Sequence, residues 1–237
     1  MRYIDVLCRK GEEFGLKDLK DGYRHRMLRS VGEISEYIEL ELCLKTSTDV
    51  GLLLELCEGV EVDGMVLETG TYYGAASIAM AMYSKMMGLG RVITIERDMG
   101  EVGDLCLEGF DLGLGEGFGL HLPSSYGVRR WCNLIYNCVR SNIGGWLIPI
   151  GCDSLLALDF LSPVLRMLYV DGGHSYEVAK GDILGYGDML VSGGLIVVDD
   201  YNEGHMGVMR AVDEVMFGGE MFTSCEVVGS MVKGVKV

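Results

Sequence analysis

The chain has 237 residues, 49% of them hydrophobic and 23% charged, which suits one large core and excludes general disorder. A formal net charge of -15 repels phosphate backbones. The best basic patch, Arg24-His25-Arg26 with Arg29, reads as a solvated helix end, so no nucleic-acid partner is expected.

Residues 1–62 read as helices. In "ISEYIELELCL" (34–44), Ile34, Tyr37, Ile38, Glu41 and Leu42 fall near one face. From about residue 63, short apolar runs alternate with helical stretches. Strands are predicted at 64–69, 91–96, 145–151, 166–171 and 194–200, with helices at 74–87, about 128–143, 153–161 and 176–190. A further helix at about 203–217 leads to a closing hairpin in "SCEVVGSMVKGVKV" (224–237). This alternation argues a parallel sheet covered on both faces. The expected layout is an N-terminal helical extension (1–62), serving as a cap or lid, and one α/β domain (63–237). That domain is interrupted at about 99–128 by a segment holding eight glycines. Such an insertion suits a lid, or the contact of a homodimer or higher homo-oligomer.

Eight cysteines without a CxxC pair indicate neither a zinc site nor a dense disulfide framework. The N-terminus "MRYIDVLCRKGEE" has no apolar signal core and no segment reaches membrane-spanning length, so a cytoplasmic setting without membrane partners is expected.

In an open parallel sheet, ligands bind beyond the carboxyl ends of the strands, where strand order reverses. The first strand runs into "LETGTYYGAAS", with Glu68, Gly70 and Gly74. Its E-x-G-x-x-x-G pattern is not the G-x-G-x-x-G of a pyrophosphate cradle. Glu68 would face a ligand amine better than a phosphate. Glu96, closing the second strand, is placed for paired ribose hydroxyls, so a nucleoside is the expected ligand. The methionine-rich "MAMYSKMM" (80–87) reads as a buried helix face, and Trp131, Tyr136 and Trp146 as packing residues. Thr71, Tyr72 and Tyr73 lie in the glycine loop.

Two strands then end in acids: "RMLYVDGGHSYE" (166–177) with Asp171, and "GGLIVVDDYNE" (193–203) with Asp199 and Asp200. If these strands are neighbours, their ends lie about 4.8 Å apart. Three carboxylates gathered there repel one another unless protonated or bridged by a cation, and oxygen ligands suit Mg²⁺, or else Mn²⁺ or Ca²⁺. His174 has a side chain suited to a general base, and equally to capping the following helix. The acids could also be simple turn formers. His205 reads as a solvated helix start close to this region.

The ordered motifs "ETGTYYG", "TIE", "IGCDS", "LYVDGGHSYE" and "GGLIVVDDY" resemble those of class I S-adenosylmethionine-dependent methyltransferases. Within that class they are most similar to the metal-dependent small-molecule O-methyltransferases of the macrolide-sugar and aminocoumarin type. The resemblance covers about residues 60–237. It implies a Rossmann-like, mostly parallel seven-stranded sheet with one reversed strand in the C-terminal hairpin. It further implies S-adenosylmethionine held by Glu68, Gly70, Thr71, Tyr72 and Gly74 at the methionine end, Glu96 at the ribose, and Asp153 with Ser154 at the adenine. Asp171 would adjoin both cofactor and metal, with Asp199 and Asp200 completing the metal ligands. Some relatives carry Asp-Gly-Asp, with the second acid as base. Gly173 stands there in this chain, which shifts the role to His174. The expected substrate is a small hydroxylated molecule. The competing readings are a nicotinamide-dependent oxidoreductase and a non-catalytic nucleoside-binding protein.

Overall fold

The computed structural model describes residues 28, 30–42, 44, 48–97 and 134–237. The predicted basic patch, Trp131 and the glycine-rich segment 99–128 lie outside them. The strands are β1 (Met65–Thr69), β2 (Val92–Ile95), β3 (Leu147–Ile150), β4 (Leu165–Val170), β5 (Leu190–Val198), β6 (Phe222–Val228) and β7 (Met231–Lys236). They form one sheet in the order β3-β2-β1-β4-β5-β7-β6. Pairing is parallel from β3 to β5, and β7 runs antiparallel between β5 and β6. The expected seven-stranded sheet with a reversed hairpin strand is therefore present.

The helices are α1 (Val31–Glu36), which continues as a π turn over Tyr37–Glu41, α2 (Val50–Glu58) and α3 (Ala75–Met87). They are followed by α4 (134–140), α5 (Ser154–Ala157), α6 (Tyr176–Gly187) and α7 (Met206–Val212), which runs on as a π turn over Asp213–Phe217. One apolar cluster joins α1, α2, α3 and α4 to one face of the sheet. The other joins α5, α6 and α7 to the opposite face. β4 is buried along its whole length and serves both: Met167 and Tyr169 face the first cluster, Leu168 and Val170 the second. That alternation is why its sequence reads as a continuous apolar run.

Arg166 is the exception in that run. Its guanidinium is buried and donates to the carbonyls of Cys57 (3.2 Å) and Val60 (2.7 Å), satisfying the C-terminal end of α2 and tying it to the sheet. Ile34, Ile38 and Leu42 form the buried stripe of the first helical segment, as their spacing predicts.

Several boundaries move. The helix predicted over 176–190 ends at Gly187, and β5 starts at Leu190 rather than 194 because Leu190 pairs with Leu165 inside the core. The helix predicted over 153–161 is only Ser154–Ala157. In "MAMYSKMM", Met80 is buried and Met82 and Met86 pack partly, while Met87 is exposed. No helix among the described residues is long and apolar enough to cross a membrane.

Candidate active site

Strand order reverses between β1 and β4, and the loops leaving their carboxyl ends meet there. Gly70 is what lets them meet. Its φ is +90°, and a Cβ on it would lie 1.9 Å from the Asp171 carbonyl oxygen. Glycine is required there by the neighbouring strand's backbone, and Gly70 also lines the crevice. Gly74 begins α3 at φ +86°, where a Cβ would press on Leu134.

A cavity of about 730 Å³ opens at this crevice. Its wall includes Glu68, Gly70, Thr71, Tyr72, Glu96, Asp153, Ser154, Asp171, His174 and Asp200, so the structure brings together nearly all the residues singled out from the sequence. Gly74 and Asp199 stand behind the wall rather than in it. The volume suits a nucleoside-sized ligand.

Glu68 is wholly buried and accepts a hydrogen bond from the Thr94 hydroxyl. Burial raises its pKa to about 7, Thr94 opposes the rise, and the negative charge of Glu96 adds to it. Glu96 receives the backbone N–H of Tyr72 at 2.8 Å, which pins the glycine loop to the end of β2. Tyr72 itself sits at φ +49°. Asp153 caps α5, accepting from Leu155 N at 2.9 Å with one oxygen, while its other oxygen lies 3.7 Å from Arg97.

The three acids converge as their strand-end positions predict, but they are not equivalent. Burial pushes the Asp171 carboxyl well above its usual range, and the charges of Asp199, Glu68 and Asp200 push it further. Asp199 is buried and saturated. One of its oxygens accepts from Ser230 (2.9 Å) and the Asp200 N–H (2.8 Å), and the other from the hydroxyls of Tyr169 (2.8 Å) and Thr48 (3.1 Å). A carboxylate offers about four lone-pair positions, and these four donors fill them. Asp200, at φ +59°, instead turns its side chain outward, with Oδ2 3.0 Å from His174 Nε2 and 3.3 Å from His205 Nδ1.

Three residues of this network escape the sequence reading. Tyr169 was legible in principle, since two residues before Asp171 on a strand is the same face. Thr48 and Ser230 carry no local signal; each arrives from a distant part of the chain.

Residues 67–201 match the family described as "Methyltransferase domain". The chain belongs to that family. No curated protein matches the sequence. Among solved structures, the methyltransferase fold is shared with CalS11, described as a calicheamicin methyltransferase. The two are 16% identical over 96% of this chain and 91% of that one, at a TM-score of 0.57. The O-methyltransferase NovP is similar at 20% identity, over 91% and 83% of the two chains, with a TM-score of 0.53. An O-methyltransferase from Bacillus cereus in complex with SAH is similar at 16% identity, over 94% and 96%, with a TM-score of 0.55. At these identities the likeness is one of fold.

Proposed function

We propose that this methyltransferase transfers the methyl group of S-adenosylmethionine to a hydroxyl of a small molecule, with a divalent cation at the acidic end of the cavity. One observation carries the reading. Glu68, Asp171 and Asp200 line a single crevice with Asp199 behind its wall, and the charges acting on Asp171 are all those of these other acids. Such a cluster is built for positive ligands. The sulfonium cofactor with its ammonium end supplies one, and a cation supplies the other. SAH in the related Bacillus cereus structure is consistent with the cofactor.

The roles then divide by position. Glu68 faces the ammonium, Glu96 the ribose hydroxyls, and Asp153 with Ser154 the adenine, while Gly70, Thr71, Tyr72 and Gly74 shape the loop between them. Asp171 and Asp200 keep oxygens available for Mg²⁺ or a similar hard ion. Asp199 contributes its charge from behind, and direct ligation would require it to release a donor such as Thr48. Held by Asp171 and Asp200, a divalent ion would supply Lewis-acid polarisation, lowering the pKa of the acceptor hydroxyl. His174 takes the proton: with Asp200 Oδ2 against Nε2, its Nδ1 lone pair is left for the acceptor. A sulfonium leaves without acid help, so alignment and one deprotonation suffice. We further propose that residues 1–62 cap the acceptor side, since Thr48 lines the cavity wall, and that the acceptor is a sugar, a glycosylated natural product or a polyphenol.

Calorimetry tests the base of this reading. Chelator-treated protein should bind S-adenosylhomocysteine, and the loaded protein should then bind one Mg²⁺, which Asp171→Asn should abolish. Absence of S-adenosylhomocysteine binding would end the proposal. Methylation of sugar nucleotides or catechols should stop in excess chelator, and full activity there would remove the metal from the reaction.

A further inference from the structure

His205 is not part of the cavity wall, yet its ring stacks on that of His174, with centroids 4.0 Å apart and planes 10° from parallel. Both rings reach the same oxygen, Asp200 Oδ2, at 3.0 and 3.3 Å. The three ligand atoms lie within 4.8 Å of one another. His205 Nδ1 is sealed from solvent and makes no hydrogen bond, although Asp200 Oδ2 lies 3.3 Å away. A buried ring nitrogen left without a hydrogen bond is costly unless something else takes its lone pair.

We infer that His174 Nε2, Asp200 Oδ2 and His205 Nδ1 form a site for a borderline transition-metal ion of the Zn²⁺ class, which shares Asp200 with the acidic end of the cavity but does not need Asp171. Two imidazoles and one carboxylate are a donor set that Mg²⁺ does not select and Zn²⁺, Co²⁺ or Ni²⁺ does. The spacing fits. Ligand atoms each about 2.1 Å from a tetrahedral zinc stand roughly 3.4 Å apart, close to the two distances to Asp200. Loading requires the stacked rings to tip toward a common point, and a fourth position remains for water.

The backbone holds the two histidines in this relation. Gly207, in the first turn of α7, packs so closely that a Cβ would lie 2.4 Å from the His174 carbonyl oxygen and 2.7 Å from the Tyr176 nitrogen. The start of α7 is thereby seated directly on the loop that carries His174. Asp200, held at positive φ, presents Oδ2 to a ring nitrogen of each.

Occupancy has a chemical consequence. A neutral imidazole carries one ring proton. Coordination at Nε2 of His174 puts that proton on Nδ1, the atom needed to receive the acceptor's proton. Zinc bound here therefore blocks methyl transfer. This last step rests on the proposed role of His174, whereas the binding itself does not.

The experiment uses chelator-treated full-length protein titrated with Co²⁺, read by visible absorption, and with Zn²⁺, read by calorimetry. One equivalent should bind, with bands of nitrogen-ligated Co²⁺. His205→Ala and, separately, His174→Ala should each weaken Zn²⁺ at least tenfold. Asp171→Asn should keep Zn²⁺ affinity within about threefold while losing Mg²⁺. Wild-type Zn²⁺ affinity in both histidine variants would overturn the site, as would loss of Zn²⁺ and Mg²⁺ together in Asp171→Asn, which would make it one site with the acids. If the protein binds neither Mg²⁺ nor S-adenosylhomocysteine, the methyl-transfer reading fails while the zinc titration still decides this one.

Discussion

Replacing Glu68 by Gln should change how the stability of the ligand-free protein responds to pH, and the size of the change follows from where Glu68 sits. Burial lifts its pKa from 4.5 to about 7, so the folded protein holds the proton more tightly than the unfolded chain does. The stability linked to the neutral form is full below about pH 4.5, falls as pH rises toward 7, and levels off above it. The whole displacement is worth about 3 kcal/mol, of which about 2–3 kcal/mol falls between pH 5 and pH 8. Gln keeps the shape of the protonated acid and removes the titration. Urea or thermal unfolding in chelator at a series of pH values should therefore show the variant gaining on the wild type by that amount. At this chain length the gain is roughly 5–10 °C in Tm. Saturating S-adenosylhomocysteine should restore part of the wild-type loss, because an ammonium beside Glu68 favours the carboxylate. A stability difference that stays flat from pH 5 to pH 8 would refute the argument and place Glu68 in a solvated setting.

Gly70→Ala should cost about 2–4 kcal/mol and weaken S-adenosylhomocysteine, since the new Cβ overlaps the Asp171 carbonyl and must part β1 from β4; calorimetry and thermal unfolding read both effects. Glu96→Ala should weaken S-adenosylhomocysteine by about 1.5–3 kcal/mol per hydrogen bond lost, and a variant with unchanged affinity would return Glu96 to a structural role such as holding the Tyr72 N–H. Asp199→Asn should lose about 1–3 kcal/mol of stability in metal-free protein, because its amide would meet donors from Ser230, Tyr169, Thr48 or the Asp200 N–H, and denaturation in chelator measures it. His174→Ala should keep Mg²⁺ and lower the methyl-transfer rate roughly 10²–10⁴-fold, which single-turnover kinetics would show.

The sequence by itself determined the sheet and the place of the site. Parallel strands buried on both faces read as short, mainly apolar runs, so β1, β2 and β4 were legible to within a residue at each end, and the second half of β5 with them. Acids and glycines that end those runs must emerge on one edge of the sheet. Glu68, Glu96, Asp171 and Asp200 were therefore predictable as neighbours from local pattern alone. What only the tertiary structure decided is how each acid is occupied. Asp199 and Asp200 are adjacent in the chain and identical in type. Yet Asp199 turns inward to Thr48, Tyr169 and Ser230, which come from three separate parts of the sequence, while Asp200 adopts a positive φ and turns outward to His174 and His205. The reason for Gly70 likewise lies across the sheet, in the carbonyl of Asp171. Periodicity records which face of an element a side chain leaves from; the partner it meets there is supplied by segments whose spacing along the chain carries no trace of the encounter.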